Sequence, residues 1–275
     1  MEKKSMRDTV REMYASTVKQ SRSCGCTRKA NFVDPEFIRS ASKVSGYSEQ
    51  ELQSIPDGAN LGLGCGNPLA LTVIRKGDVV LDLGSGAGMD CFLASKLVGD
   101  QGQVIGVDMT PEMVDRAREN ARAGGYRNVE FRLGEIENLP VESSSVDAVI
   151  SNCVINLSTD KARVFQEAFR VLKPGGTLLV SDIALLEELP KYVQQSVEAY
   201  IRCIAGAIRK DEYLKTIRQA GFEEISVVGE SNFPAELITA QPQVSELISR
   251  MNIPANEVER IAGTVVSLKV SARKA

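Results

Sequence analysis

From Gly77 onward the chain alternates short apolar, β-branched runs with amphipathic segments. The runs "VVLDLG" (79–84), "QVIGVDM" (103–109), "VEFRLG" (129–134), "VDAVISN" (146–152) and "GTLLVSDI" (176–183) read as strands. Helical patterns lie between them, near Met89–Leu97, Pro111–Ala123 and Lys161–Leu172. Strand, helix, strand repeated in this way predicts a parallel sheet with helices on both faces. Further along, the pattern predicts helices over Leu189–Ala207 and Lys210–Ala220. Two more strands follow, "EEISVVG" (223–229) and "TVVSLKVSAR" (264–273), separated by a polar, partly helical insertion, and the last of them is expected to rejoin the sheet. Residues 1 to about 60 carry no strand pattern; helices are expected over "SMRDTVREMYASTVKQ" (5–20) and around "SEQELQSI" (48–55). The fold class expected is α/β, a doubly wound, mostly parallel seven-stranded sheet with N-terminal and C-terminal cap segments. Its divisions are a helical segment over 1–70, a core domain over 71–226 and an extension over 227–275 whose strand completes the sheet. No internal repeat or low-complexity tract interrupts the pattern.

At 275 residues, 43% hydrophobic and 25% charged, the chain can bury a full core and has the composition of an ordinary globular protein. A net charge of -3 gives no sign of a nucleic-acid surface, so the expected partner is a small molecule. The start, "MEKKSMRDTVREMYAS", is too charged for a secretory leader, and no apolar run approaches the length that spans a bilayer. The expectation is a cytoplasmic protein with no membrane partner. Six cysteines in a reducing compartment read as thiols, ligands or redox partners rather than permanent bridges. The complete lack of histidine removes hydrolase triads, Cys/His proteases and His-ligated zinc hydrolysis.

"DLGSGAG" (Asp82 to Gly88) closes the first strand and opens a helix, and its glycines let a ligand approach the N–H groups of the turn. A dinucleotide fingerprint needs a further glycine where Met89 stands. The pattern acidic-x-G-x-G-x-G instead resembles class I S-adenosylmethionine methyltransferases, whose fold is Rossmann-like. Asp108, roughly twenty residues on in "GVDM", ends the second strand, where a carboxylate can accept both ribose hydroxyls. In "LGEIENLP", Glu135 and Ile136 match the place where that family holds the adenine, and "VLKPGGTLLVSD" (171–182) matches its usual approach to the fifth strand. The cofactor-binding set implied is Asp82, Gly84, Ser85, Gly86, Gly88, Asp108, Met109, Glu135, Ile136 and Asn152.

"SNCVINL" (151–157) puts Cys153 just beyond the fourth strand, and ligands of open α/β sheets bind outside the carboxyl ends of the strands. A small buried filler is the bland alternative. Three other segments carry thiols outside the regular sheet pattern: "SRSCGC" (Cys24, Cys26), "GLGCGNP" (Cys65) and "YIRCIAGA" (Cys203). Together with "NCVINL" they closely resemble the arsenite S-adenosylmethionine methyltransferases, over about Met13 to Ala220 and again at the final strand. The resemblance implies methyl transfer to trivalent arsenic, a soft metalloid that three thiolates can hold while its lone pair stays free to attack. It implies Cys65, Cys153 and Cys203 as arsenic ligands, and Cys65 as partner in a transient disulfide with the N-terminal cluster. Family members have adjacent cysteines there, whereas here Gly25 intervenes, so the redox partner is Cys24 or Cys26, with Cys26 preferred. A thiol reductant of glutathione or thioredoxin type is implied for turnover. Thiols near pKa 8.5 lose protons on binding, so arsenite affinity should rise between pH 6 and 8. Cys91 reads as core filler, and Asn156 as a loop-shaping residue or a substrate contact. Two rival readings remain: a quinone- or sterol-type C-methyltransferase with incidental cysteines, and a non-catalytic thiol metal-binding protein, for which C-x-C with scattered single thiols is a poor match.

Overall fold

The computed structural model describes residues 5–21, 35–71, 74–196, 199–200, 203–232, 248–250 and 253–275. Its centre is a seven-stranded sheet in the order β3-β2-β1-β4-β5-β7-β6. The strands are β1 Val79–Leu83, β2 Gln103–Asp108, β3 Val129–Leu133, β4 Val146–Asn152, β5 Leu172–Leu185, β6 Glu223–Asn232 and β7 Val265–Arg273. The first five pair in parallel, and β7 runs antiparallel between β5 and β6. The doubly wound, mostly parallel seven-stranded architecture is as the apolar pattern required.

Side-chain alternation along each strand divides the core in two. Leu81 and Leu83 of β1 and Ile105 and Val107 of β2 pack with Val164, Phe165 and Ala168 of helix α6 (Lys161–Val171) and with Tyr213 and Ile217 of α8 (Lys210–Gln219). Val80 and Val104 face the other way, onto Phe92, Ala94 and Val98 of α4 (Met89–Val98) and Val114 and Ala117 of α5 (Pro111–Ala123). Burial on both faces is why these strands read as continuous apolar runs. Pro111 at the first turn of α5 has no N–H to leave unsatisfied, and Gly124 closes that helix. Further helices among the described residues are α1 (Met6–Ser21), α2 (Pro35–Val44), α3 (Glu49–Gln53), α7 (Lys191–Gln194) and α9 (Ala255–Thr264). α3 carries a full capping box, with Ser48 and Glu51 satisfying each other's backbone N–H.

Several expectations need correcting. The sequence pattern gave no sign of α2. Leu189–Ala207 is not one helix: α7 ends at Gln194, and Cys203 sits in a turn with φ +63°, a conformation that cannot continue a right-handed helix. Gly206 explains the turn, since a Cβ there would lie 2.1 Å from the Asn156 carbonyl oxygen; the chain must stop being helical to press its backbone onto the β4 loop. β6 runs on past residue 226, where the extension was expected to begin. Cys24, Cys26 and most of the 233–252 insertion lie outside the described residues. Among the described residues no helix is long and apolar enough to cross a membrane.

A third apolar cluster lies beyond the carboxyl ends of the strands, joining Ile183, Leu185, Leu189, Val193 and Val265 to Cys65, Cys153 and Cys203. The fold therefore gathers three thiol positions spread over 138 residues of chain into one cap.

Candidate functional site

A cleft of about 1150 Å³, including its open mouth, runs along the carboxyl ends of β1, β2 and β4. One end is built by the glycine turn. The N–H groups of Gly84 and Ser85 both donate to the Val107 carbonyl, at 2.8 and 3.0 Å, which ties the turn to β2. Gly88 (φ +98°) serves packing, because a Cβ there would meet the rings of Phe92 and Phe131 at 2.7 and 2.8 Å. Gly86 (φ +52°) differs: a Cβ there would meet nothing within 4 Å, so its backbone opens onto the cleft it lines. The Asp108 carboxylate is held from both sides, accepting from Gly86 N at 3.0 Å and Thr110 N at 2.8 Å. Burial raises its pKa, and the two backbone donors oppose that rise.

The floor carries two buried carboxyl groups. Asp82 and Asp90 both line the cleft, and no lysine or arginine of the described residues forms an ion pair with either. Burial, followed by the neighbouring Asp90 charge, pushes Asp82 well above the carboxylate range; burial raises Asp90 too. Tyr47 donates to Asp90 Oδ1 at 2.6 Å, and the Asn152 amide donates to Asp90 Oδ2 at 3.1 Å, to the Tyr47 hydroxyl at 2.8 Å and to the Gly66 carbonyl at 2.7 Å. Asn152 Oδ1 in turn accepts from Cys65 N at 3.1 Å. A carboxylate-rich floor of this kind suits a ligand that brings its own positive charge.

At the end of β4, Cys153 brings a sulfur to the cleft wall, while Cys65 and Cys203 are not among its lining residues. β4 stops at Asn152, and Cys153 turns out of the strand with φ +60° while its N–H donates to the Ser181 carbonyl at 2.9 Å. Cys153 lines the cleft and is joined in a disulfide to Cys65, with their Cα atoms 5.7 Å apart. The Cys65 carbonyl is fastened to β7 by the Ser267 hydroxyl at 2.9 Å. Cys203 donates its thiol to the Cys153 carbonyl at 2.9 Å. Behind them stands Asp182, 1% exposed, whose Oδ1 accepts from Ile183 N and Asn156 Nδ2, both at 2.9 Å, and whose Oδ2 accepts from Tyr213 at 3.2 Å. Burial raises the Asp182 pKa to about 7.

Of the residues expected from sequence, Asp82, Gly84, Ser85, Gly86, Asp108, Met109, Ile136, Asn152 and Cys153 line one cleft. Gly88 lies behind the turn. Glu135 does not line the cleft: it is exposed and ion-paired to Arg7 at 2.8 Å, because the tight 134–138 turn directs Ile136 inward and its neighbour out. Glu137 lines the cleft instead, accepting from Ser158 Oγ at 2.6 Å. Cys65 is bonded to Cys153 rather than to the N-terminal cluster, whose cysteines fall outside the described residues. Cys91 does more than fill space, since its thiol donates to Asp82 Oδ2 at 3.2 Å. Asp90 was missed although its place directly after the glycine turn was a usable signal. Tyr47, and Arg7, Val10 and Tyr14 of α1 on the cleft wall, had no such signal.

Residues 74–221 match the family model described as a methyltransferase domain. The chain is 45% identical to an arsenite methyltransferase of Halobacterium salinarum over 80% of its own length, and 35% identical to the human arsenite methyltransferase over 86%. A solved arsenic(III) S-adenosylmethionine methyltransferase from Chlamydomonas reinhardtii superposes with a TM-score of 0.60 at 33% identity, covering 88% of this chain and 74% of that one. The chain belongs to the arsenite methyltransferase family. It spans 58% of the length of the archaeal relative and 60% of the human one. Within that family, the cleft sorts into a nucleotide-type end at the glycine turn and a thiol end at the cap, meeting at Asn152 and Cys153.

Proposed function

We propose that this protein transfers a methyl group from S-adenosylmethionine to trivalent arsenic held by cysteine thiolates. The observation that carries the reading is that Cys153 lines the same cleft as the glycine turn, with Cys65 bonded to its sulfur and the Cys203 thiol donating to its carbonyl.

The residues present fit that methyl donor. Gly86 leaves the turn open to a ligand, Asp108 is placed to accept ribose hydroxyls, and Ile136 offers an apolar wall for the adenine. The buried Asp82 and Asp90, with no ion-paired lysine or arginine among the described residues, match a ligand that carries positive charge. When bound, S-adenosylmethionine supplies an electrophilic methyl group.

The chain's own part is to hold and orient the acceptor. With the disulfide reduced, Cys65 and Cys153 become thiols, and each thiol that takes a place on arsenic displaces one arsenite hydroxyl, its proton leaving with that hydroxyl as water. Three sulfur ligands leave the arsenic lone pair free, so no general base is needed, in keeping with a chain that has no histidine. Methylation raises arsenic formally from the trivalent to the pentavalent state. A thiol pair that closes to a disulfide returns two electrons to it, and the Cys65–Cys153 bond supports that role for this pair. A cytoplasmic dithiol or glutathione-type reductant then reopens the bond.

The test is an assay with labelled S-adenosylmethionine, arsenite and a thiol reductant. Transfer to arsenic is expected from the unaltered protein and is expected to fall at least about 100-fold, near 2.7 kcal/mol of barrier, in Cys153→Ser and Cys203→Ser. Transfer that survives both substitutions would overturn the thiolate reading.

A further inference from the structure

Asp182 takes no part in the arsenic site proposed above, yet its carboxylate stands among the sulfurs. The ligand atoms of Cys65, Cys153 and Asp182 all lie within 4.8 Å of one another, and all three residues are buried. Cys203 is not in this set; its thiol is turned to the Cys153 carbonyl. A tetrahedral zinc ion, bonded at about 2.3 Å to sulfur and about 2.0 to 2.2 Å to carboxylate oxygen, holds its ligand atoms roughly 3.5 to 3.8 Å apart, inside that limit.

The carboxylate is also oriented as a ligand should be. Ile183 N and Asn156 Nδ2 both engage Oδ1, while Oδ2 has, among the described residues, the longer contact to Tyr213 and keeps a lone pair to offer. Hydrogen bonds from outer residues that fix a ligating oxygen are a regular feature of metal sites. Two thiolates and one carboxylate, in a chain without imidazole, suit a borderline-soft divalent cation with one position left for water. Trivalent arsenic instead favours a third sulfur.

We propose that the reduced Cys65–Cys153 pair and Asp182 form a zinc(II) site, in which zinc competes with trivalent arsenic for the two shared sulfurs. The competition rests on the arsenite reading; the cation site does not. In the disulfide form the two sulfurs are bonded to each other and offer no thiolate. A dithiol or phosphine reductant supplies two electrons to break that bond and is itself oxidised. Zinc then binds as each thiol gives its proton to solvent, and Asp182, which ligates as the carboxylate, gives up its own wherever it is protonated. The two occupants differ in the third ligand, Asp182 for zinc and Cys203 for arsenic, so the site discriminates by which neighbour it recruits.

The test uses the protein reduced with a phosphine and titrated with cadmium(II), whose thiolate charge-transfer band reports binding, then with zinc(II) against a chromophoric chelator. One cation for each chain is expected, and none in the oxidised protein. Asp182→Asn is expected to weaken both cations at least about tenfold and arsenite less than about threefold, whereas Cys203→Ser does the reverse. Asp182→Glu, which keeps an oxygen donor, should retain cadmium binding. In turnover, zinc should raise the KM for arsenite and leave that for S-adenosylmethionine unchanged. Cadmium bound equally well by Asp182→Asn would overturn the proposal, and so would loss in Asp182→Asn that Asp182→Glu does not restore. Cadmium binding that depends on Asp182, in a protein that does not methylate arsenite, would uphold the zinc site and reject the arsenite function.

Discussion

The two ends of the cleft are assembled in opposite ways. The glycine-turn end comes from one short stretch, Asp82 to Asp90, closed by Asp108 at the neighbouring strand end, and backbone hydrogen bonds fix it. The thiol end draws on Cys65, Cys153, Asp182, Cys203 and Ser267, five positions on separate segments that meet only because β7 inserts between β5 and β6 and the 203–207 turn folds back on β4. A binding end made of local backbone tolerates change elsewhere in the fold, whereas an end made of distant side chains depends on the packing of the whole cap. Asn152 is the hinge between them, bonded at once to Asp90 and to the Cys65 backbone.

That contrast breaks most sharply at Cys153. Serine there removes a sulfur but keeps the size of a residue whose backbone N–H is already satisfied by Ser181. Transfer to arsenic is expected to drop at least about 100-fold, while S-adenosylmethionine affinity, read by calorimetry, stays within about threefold. Loss of cofactor affinity by the same factor as activity would mean that the two ends are not separate.

The converse substitution, Asp108→Ala, attacks the other end. It removes a carboxylate placed for two charge-assisted bonds to a ribose, each worth about 1.5 to 3 kcal/mol, and it frees Gly86 N and Thr110 N. Cofactor affinity should weaken tens-fold or more, with arsenite binding to the reduced protein unchanged. Unchanged cofactor affinity would remove Asp108 from the site.

The same local-versus-distant division governs what the sequence reveals. Strand runs and the glycine turn depend on neighbours within a few residues, so β1 to β5, α4 and α5 were legible, as was nearly every cofactor-end residue. Gly86 could be named from the glycine turn itself, and Asp82 and Ile136 from the motif resemblance. The Cys65–Cys153 bond could not, because it needs the approach of the 62–67 loop to β4 and its fastening by Ser267 on a strand 202 residues further on. Tyr47 was invisible for the same reason, since its partner Asp90 is 43 residues away. The break in the 189–207 helix was hidden because Gly206 answers to a carbonyl of Asn156, not to anything in its own segment. Motif resemblance reached Cys203 where pattern could not.

A pH series tests the buried carboxylate of the thiol end. The ordinary Asp pKa is near 3.8 and burial raises that of Asp182 to about 7 in the fold. Below pH 4 both folded and unfolded forms hold the proton and there is no penalty. Between pH 4 and 7 the unfolded chain loses its proton while the folded one retains it, so this group's contribution turns against folding as pH rises. The thermal midpoint of Asp182→Asn relative to the unaltered protein should therefore climb across that window and level off above pH 7. A flat difference would show that Asp182 is ionised in the fold at all these values.

The smallest effect expected is at Glu135, and it sharpens the division within the glycine-turn end itself. Motif resemblance placed Glu135 beside Ile136 on the adenine, whereas the 134–138 turn sends them to opposite sides. The Arg7–Glu135 pair has both side chains more than 40% exposed, so water and salt screen it and its worth is about 0 to 1 kcal/mol. Arg7 also keeps a second partner in Glu137 at 3.4 Å. Glu135→Ala should therefore shift S-adenosylmethionine affinity by less than about threefold, a shift that fades in high salt. Ile136→Ala strips a buried cleft-lining side chain and should cost more, about 1.5 to 3 kcal/mol if the contact with adenine is full. Equal losses at the two positions, insensitive to salt, would return Glu135 to the adenine and place the turn the other way round.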